Sequence, residues 1–262
     1  MRENSLRGIW ARGEAALGGW LTIPSGISAE VMAHAGFDWV CVDMQHGQIE
    51  YAQMVQMLQG ISSTDTVPLV RVPWNEPGII GKCLDAGSWG VIVPMVNSAE
   101  EAAAAVAACR YAPVGHRSYG PLRANYYAGF DYFSRANDEV LCIVMIETRV
   151  AVEKVDEILS VPGVDAVYVG PADLSVTLGL PPAPDQSDQS FTDALERILD
   201  ACHRHDVIPG IAGNATTAVK RLEQGFRLVE VASDGGLLGV GAGNALAQVR
   251  PEGGPAGRSA YL

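Results

Sequence analysis

Eight short apolar runs recur along the chain, and longer amphipathic stretches separate them. The runs VIVPMV, CIVMIE and AVYVG are apolar almost throughout, as expected for parallel strands that are buried on both faces. We predict strands at residues 19–23, 39–44, 69–72, 90–95, 141–147, 166–169, 209–212 and 228–232. Helical patterns fill the intervals, at residues 28–34, 52–61, 79–86, 99–109, 151–158, 191–204, 217–224 and 237–249.

Eight strand–helix units in 262 residues indicate one closed (β/α)8 barrel, a TIM barrel, as a single domain over residues 1–262. An open doubly wound sheet is the structural alternative. Ser28 is a plausible N-cap, with Val31 on the inner helix face. Residues 111–137 form a long connection, and connections of this length usually serve function or form an interface. We predict a rigid surface loop at residues 180–189 and a loose tail at residues 251–262.

Charge and cysteine usage restrict the class of protein. The formal net charge is −12, and we find no basic stripe, so nucleic-acid binding is excluded as a function. The five cysteines are odd in number and form no C-x-x-C motif, which favours buried, reduced thiols in the cytoplasm. Residues 1–12 contain no apolar signal-peptide core, and no apolar run reaches the length needed to span a membrane.

Polar side chains follow the predicted strands at the end where barrel enzymes place their active sites. Two of them, Glu147 and Asp173, come after neighbouring strands, which lie about 5 Å apart. A carboxylate pair that leaves most of an octahedral shell open suits Mg²⁺, Mn²⁺ or Co²⁺. The alternative is that each carboxylate only caps a helix.

Three further side chains are candidates for catalysis. Asp43 precedes His46 by three residues, so it can fix the imidazole tautomer and raise its basicity. Arg71 lies within the apolar stretch LVRV, where a charge is costly unless it is paired. Its guanidinium suits a carboxylate or an enolate oxygen. The alternative for His46 is a surface histidine in a loop, and the alternative for Arg71 is a structural ion pair.

The stretch Gly170-Pro171-Ala172-Asp173 is expected to turn into a helix, with the N–H groups of Ala172 and Asp173 available to a substrate carboxylate. The Gly-rich stretches GIAGN and ASDGG follow the last two strands, where barrels often bind phosphate. The three lysines all lie on predicted helices, which argues against a Schiff-base aldolase.

The chain resembles the HpcH/HpaI aldolases of the phosphoenolpyruvate/pyruvate superfamily. The stretches that carry the resemblance run from Gly18 to about Gly179 and are GGWLTIPSGISAE, AGFDWVCVDMQHG, PLVRVPWNEP, LDAG, GVIVPMVN, MIET and VYVGPADLS. DxQHG, RVPWN, IET and VGPxDL are highly specific in combination, although each alone is not.

This resemblance implies a class II aldolase that cleaves 4-hydroxy-2-oxo acids reversibly to pyruvate and an aldehyde. Glu147 and Asp173 would bind the divalent metal, which would chelate pyruvate. Arg71 would bind the keto or enolate oxygen, and His46, oriented by Asp43, would be the acid/base. The resemblance also implies a homo-oligomer, a hexamer built as a trimer of dimers, in which Asp85 reaches a neighbouring subunit's site.

The identity of the aldehyde partner is predicted from less specific sequence features. Family members often carry Gln at the position of Met145, so substrate assignment is more open than reaction type. Arg123 of the long connection can bind a distal carboxylate, which favours a substrate like 4-hydroxy-2-oxoheptanedioate; subunit packing is the alternative. Trp20 is a further candidate for substrate contact. Other functions considered are a 2-dehydro-3-deoxy-sugar-acid aldolase, a related metal-enolate decarboxylase or synthase, a keto-acid sensor and a phosphate-sugar isomerase.

Overall fold

A computed structural model describes residues 2–250 and shows a closed barrel of parallel strands. The strands are β1 Ala16–Leu21, β2 Trp39–Asp43, β3 Val67–Arg71, β4 Gly90–Val93, β5 Leu141–Ile146, β6 Ala166–Val169, β7 Ile208–Ile211 and β8 Leu228–Ser233. Each strand pairs with the next along the chain, and β8 closes on β1. The prediction of a (β/α)8 TIM barrel is confirmed, and the open sheet is excluded.

Helices follow the strands around the barrel. They are α1 Ser5–Ala11, α2 Gly26–His34, α3 Tyr51–Ile61, α4 Pro77–Asp85, α5 Ala99–Cys109, α6 Leu122–Ala128, α7 Tyr132–Glu139, α8 Arg149–Glu153, α9 Val155–Leu159, α10 Pro171–Thr177, α11 Gln189–His205, α12 Ala215–Gln224 and α13 Asp234–Val249. None of them within residues 2–250 is long and apolar enough to cross a membrane.

Several local expectations were wrong. Helix α2 is capped by Ser25, whose hydroxyl accepts a hydrogen bond from the N–H of Ser28, and Val31 is 64% exposed. The helix expected at 151–158 is two short helices, α8 and α9, and the connection at 111–137 contains α6 and most of α7. The tail at 251–262 lies outside the described residues.

Large aromatic side chains of three strands, Trp20, Trp39 and Tyr168, pack against one another in the barrel interior. The ring of Trp39 occupies the space where a Cβ on residue 18 would lie, so glycine is required at Gly18. Strand β1 begins at Ala16, three residues before its predicted start. Trp20 stacks on Tyr168 with ring centroids 5.3 Å apart. All five cysteines are buried and free, as predicted.

Candidate active site

A cavity of about 690 Å³ opens at the carboxyl ends of the strands. Sequence reasoning placed most of its functional residues there, because parallel strands end at the same rim of a barrel. The predicted residues that line the cavity are Trp20, Asp43, His46, Arg71, Gly170, Ala172 and Asp173. Met145, at the position where family members often carry Gln, lines it as well.

Glu147 follows β5 directly and is only 2% exposed. Its Oε1 accepts a hydrogen bond of 2.7 Å from the N–H of Met95. Met95 adopts the left-handed conformation, with φ 57°, which is costly for a bulky residue. This strain directs the Met95 N–H at the carboxylate. A Cβ at Gly170 would come 2.5 Å from the other oxygen, Oε2, so only glycine leaves this oxygen accessible from the turn before α10.

Asp173 lies in the first turn of α10 and is exposed to the cavity. Burial and, to a smaller extent, the negative charge of Asp173 raise the pKa of Glu147 to about 7, although the Met95 hydrogen bond and the charge of Arg71 oppose this. A cation between two such carboxylates would relieve both the burial cost and the repulsion. The residues present therefore fit a divalent metal. Within residues 2–250 no group of three His, Cys, Asp or Glu side chains is arranged to hold an ion, so other ligands must be substrate or water oxygens.

Arg71 is the last residue of β3 and pairs in register with Asp43, the last residue of β2. The guanidinium donates to both carboxylate oxygens, Nε to Oδ1 at 2.8 Å and Nη2 to Oδ2 at 2.5 Å. Trp20 donates its indole N–H to Asp43 Oδ2 at 3.1 Å, and its ring lies 5.0 Å from the guanidinium carbon. Burial alone raises the pKa of Asp43, but the contacts with Arg71 lower it below its usual value. Asp43 therefore stays ionised and fixes Arg71.

This pairing corrects the expected role of Asp43. Its carboxylate accepts the main-chain N–H groups of Gln45 at 3.0 Å and His46 at 3.3 Å, and no hydrogen bond joins it to the imidazole within the described residues. Asp43 thus shapes the loop that carries His46, while the ring itself is exposed at the cavity. An exposed imidazole beside a cavity is free to exchange protons with substrate or water.

Arg123 and Asp85 do not line the cavity of their own chain. Arg123 donates to the carbonyl oxygens of Ala86 at 2.5 Å and Leu58 at 3.0 Å, and to Ser62 Oγ at 2.7 Å. Within the described residues these bonds hold the C-terminal ends of α3 and α4 together, and the binding of a distal carboxylate by Arg123 stays a prediction. Asp85 accepts a bond of 2.6 Å from Arg117.

Two groups in the cavity wall were missed from the sequence. Pro182, Ala183 and Pro184 of the loop after α10 line the cavity, and Asp185 anchors this loop to α12 through Lys220 and Arg221, both at 2.7 Å. The second group is Glu230 of β8 with Tyr168 of β6. A charged residue within an apolar strand is the signal that identified Arg71, and the same signal was available for Glu230.

In the loops after β7 and β8, side chains of the protein itself accept main-chain N–H groups. Asn214 caps α12 by accepting from Thr216 and Thr217. Asp234 accepts from Thr22, Ile23 and Gly235 main-chain N–H groups, so a carboxylate already occupies the position where an anion would bind. The phosphate-sugar isomerase alternative loses its structural basis.

Comparison with known proteins agrees with this fold and site. The family model for HpcH/HpaI aldolase/citrate lyase matches residues 17–239. A hydroxypyruvate/pyruvate aldolase of Rhizorhabdus wittichii is 38% identical over 94% of this chain and 99% of its own length. A 4-hydroxy-2-oxo-heptane-1,7-dioate aldolase of Escherichia coli is 38% identical over 90% of this chain and 91% of its own. The crystal structure of a family protein from Burkholderia cenocepacia superimposes with a TM-score of 0.87 at 35% identity, covering 94% of this chain and 99% of that one.

The barrel and its carboxylate-lined cavity thus define a carbon–carbon lyase of the aldolase type. The chain belongs to the HpcH/HpaI aldolase/citrate lyase family. This family is a group of divalent-metal-dependent lyases, and the pair formed by Glu147 and Asp173 suits such an ion. The family resemblance stated from the sequence is confirmed.

Proposed function

We propose that the protein is a divalent-metal-dependent aldolase that cleaves 4-hydroxy-2-oxo acids reversibly to pyruvate and an aldehyde. The observation that carries this proposal is that Asp173 and Arg71 line the cavity, and that the charges of both act on the buried carboxyl group of Glu147. Mg²⁺, Mn²⁺ or Co²⁺ bound by the two carboxylates would polarise the keto group of the substrate as a Lewis acid. Gly170, Ala172 and Asp173 would bind the substrate carboxylate through their backbone.

Arg71 stabilises the negative charge that develops during cleavage. Two of its nitrogens are committed to Asp43, while Nη1 makes no hydrogen bond within the described residues. Nη1 can therefore donate to the C2 oxygen as it becomes an enolate. Because Asp43 and Trp20 hold the guanidinium before substrate arrives, little reorganisation is needed when the charge forms.

His46 moves the protons. In the cleavage direction it removes the proton of the C4 hydroxyl, directly or through water, and the C3–C4 bond breaks to release the aldehyde. The bond electrons form the enolate, whose charge Arg71 stabilises. Protonation of C3 then gives pyruvate, and the reverse sequence condenses pyruvate with an aldehyde.

We also propose that the chain forms a homo-oligomer, with a hexamer as the expected form. Helix α13 supports this, because its apolar side chains Leu237, Leu238, Val240, Leu246 and Val249 are between 49% and 76% exposed. Exposed apolar surface of this extent marks an interface. The contribution of Asp85 to a neighbouring site and a cytoplasmic location stay predictions. Sedimentation equilibrium tests the assembly, and a monomer at micromolar concentration would contradict it.

The test of the activity is pyruvate release from a 4-hydroxy-2-oxo acid, including 4-hydroxy-2-oxoheptanedioate and a 2-dehydro-3-deoxy sugar acid. The protein is first treated with a chelator and then supplied with Mg²⁺, Mn²⁺ or Co²⁺. We expect activity to disappear with the chelator and to return with metal. Activity that is indifferent to metal would contradict the carboxylate site, and turnover of oxaloacetate alone would indicate a decarboxylase.

A further inference from the structure

Glu230 is a buried carboxyl group in the wall of the cavity, and the mechanism above does not use it. It lies in the middle of β8, deeper in the barrel than the strand ends, and is 1% exposed. The pairing of β8 with β1 shifts at this point, since Glu230 pairs with Gly18 and Ala232 with Gly19. Bulges of this kind redirect side chains near active sites.

One oxygen of the Glu230 carboxyl is satisfied and the other is not. Oε2 accepts from the Tyr168 hydroxyl at 3.2 Å and from the Gly213 N–H at 3.4 Å. Oε1 is buried with no hydrogen-bond partner among the described residues. A buried polar atom without a partner is costly and uncommon in native proteins, so a partner from outside the chain is the simplest way to satisfy it.

The surroundings of Glu230 favour its neutral form. Burial raises the pKa of Glu230 to about 8, although the hydrogen bonds from Gly213 and Tyr168 and the charge of Arg71 oppose this. At neutral pH the group is therefore a carboxylic acid that carries a proton. A carboxylic acid donates one hydrogen bond and accepts others, which matches an alcohol hydroxyl in both directions.

We propose that Glu230 and Tyr168 form a hydroxyl-binding subsite in the cavity, and that Glu230 makes the enzyme prefer an aldehyde bearing a hydroxyl group over its unsubstituted counterpart. This inference rests on the proposed aldolase function. An aldehyde that lacks the hydroxyl leaves Oε1 buried and unpaired, and sites built to pair with a hydroxyl reject such analogues.

The test compares glycolaldehyde with acetaldehyde, which differ by one hydroxyl, as partners for pyruvate in the metal-loaded enzyme. The measured quantity is the ratio of the two kcat/KM values in the addition direction. Glu230→Leu is expected to lower this ratio by about tenfold, the value of one buried hydrogen bond. Glu230→Gln keeps a neutral donor and acceptor and is expected to retain the ratio. Glu223→Gln, an exposed carboxylate on α12, is the matched control. The comparison between variants removes the difference in intrinsic reactivity between the two aldehydes.

A pH series gives a second reading that does not need the leucine variant to fold. The ratio for the wild type should fall as pH rises through about 8, because ionised Glu230 can no longer donate, and the ratio for Glu230→Gln should stay constant. The other groups that face Glu230 are Tyr168, Arg71, Asp43 and Cys41. Asp43 and Arg71 keep their charges in this range, and burial keeps the Cys41 thiol protonated.

Exchange of the pyruvate methyl protons with deuterated water separates the subsite from the proposed function, because it reports enolate formation without an aldehyde. Metal-dependent exchange, together with the expected kcat/KM ratios for the two aldehydes, supports both the subsite and the aldolase function. Exchange can instead occur while the ratio of the kcat/KM values for the two aldehydes is the same in Glu230→Leu and the wild type, or is constant with pH in the wild type. Either result overturns the subsite and leaves the aldolase function standing. Absence of exchange and of addition with every metal overturns both.

Discussion

Glu147 and Glu230 are two buried carboxyl groups in one barrel with opposite surroundings. Glu147 lies 2% exposed at the rim beside Asp173, and the second carboxylate adds to the effect of burial on its pKa. Glu230 lies 1% exposed and deeper in the barrel, where the neighbours of its carboxyl group include a phenol and a main-chain amide. A bound cation would offset the cost of burying the charge of Glu147 beside Asp173, and a retained proton offsets the cost of burying Glu230.

The difference shows how a barrel assigns roles to identical side chains. Both groups have a raised pKa because of burial, to about 7 for Glu147 and about 8 for Glu230. Burial alone therefore does not distinguish them, and the neighbours decide. The carboxylate of Asp173 beside Glu147 makes cation binding favourable. At Glu230 burial outweighs the donors Gly213 and Tyr168, which lower its pKa, and the carboxyl group retains a proton.

Substitution of Glu147 should lower both metal affinity and activity. Glu147→Gln removes the charge at the rim and keeps the shape, so the affinity for Mn²⁺ should fall by at least about 100-fold, since even loss of a group behind a metal ligand costs 10- to 100-fold. Pyruvate release should fall with it. Equilibrium dialysis with Mn²⁺ measures the affinity. Glu230→Gln is the matched variant, and its Mn²⁺ affinity should stay within about threefold of the wild type. An equal loss of Mn²⁺ affinity in both variants would contradict the different roles assigned to Glu147 and Glu230.

Substitution of His46 tests which group transfers protons. His46→Ala should lower kcat by roughly 10²- to 10⁴-fold, the usual contribution of acid–base catalysis, with Mn²⁺ affinity retained. His34→Ala, an exposed histidine on α2, is the control and should keep full activity. Near-wild-type kcat in His46→Ala would remove this residue from the mechanism. A loss of kcat in Glu230→Gln as large as that in His46→Ala would transfer the acid role to the deeper carboxyl.

Stability as a function of pH should also separate Glu230 from ordinary carboxylates. Its pKa in the folded protein, about 8, lies above the usual value of 4.5, so the folded state binds more protons than the unfolded state between these values. The stabilising contribution of the proton is present below pH 4.5 and is lost as pH rises to about 8.

Glu230→Gln cannot ionise, so its free energy of unfolding should lack this decline. Relative to the wild type, the variant should gain stability on the order of 4 kcal/mol between pH 5 and pH 8. Urea denaturation of the metal-free proteins at the two pH values measures the difference. A constant difference would show that Glu230 is ionised in the folded protein at pH 5, and it would remove the contrast with Glu147.

The fold and the rim of the site could be predicted from the sequence, because both follow from local patterns. Apolar runs predict the strands, and the carboxyl ends of parallel strands share one rim, which brings Arg71, Glu147 and Asp173 to the same end of the barrel. The pairing of Asp43 could not be predicted in this way. Sequence spacing favoured His46, three residues away, whereas barrel register places Arg71 directly beside Asp43 on the next strand.

The deeper part of the site escaped sequence reasoning for a different reason. Glu230 lies within LVEVAS, and a charged residue in an apolar strand was an available signal, but a charged residue in a strand also suits its solvent-facing side. The contact of Glu230 with Tyr168 depends on how β6 and β8 meet across the barrel, which a single sequence does not show. The long connection was likewise predicted to serve either function or subunit packing, and the sequence does not show that Arg123 contacts the ends of α3 and α4.

The smallest effect concerns the bond between Tyr168 and Glu230. Tyr168→Phe keeps the stack on Trp20 and removes the hydroxyl that donates to Glu230 Oε2 at 3.2 Å. The free energy of unfolding should fall by about 1 kcal/mol, the usual net value of one hydrogen bond. Because this bond lowers the pKa of Glu230, its removal should raise that pKa further. A double-mutant cycle with Glu230→Leu isolates the pair. A coupling energy near zero would show that the two side chains are neighbours without acting as a unit, and the hydroxyl-binding role would then rest on Glu230 alone.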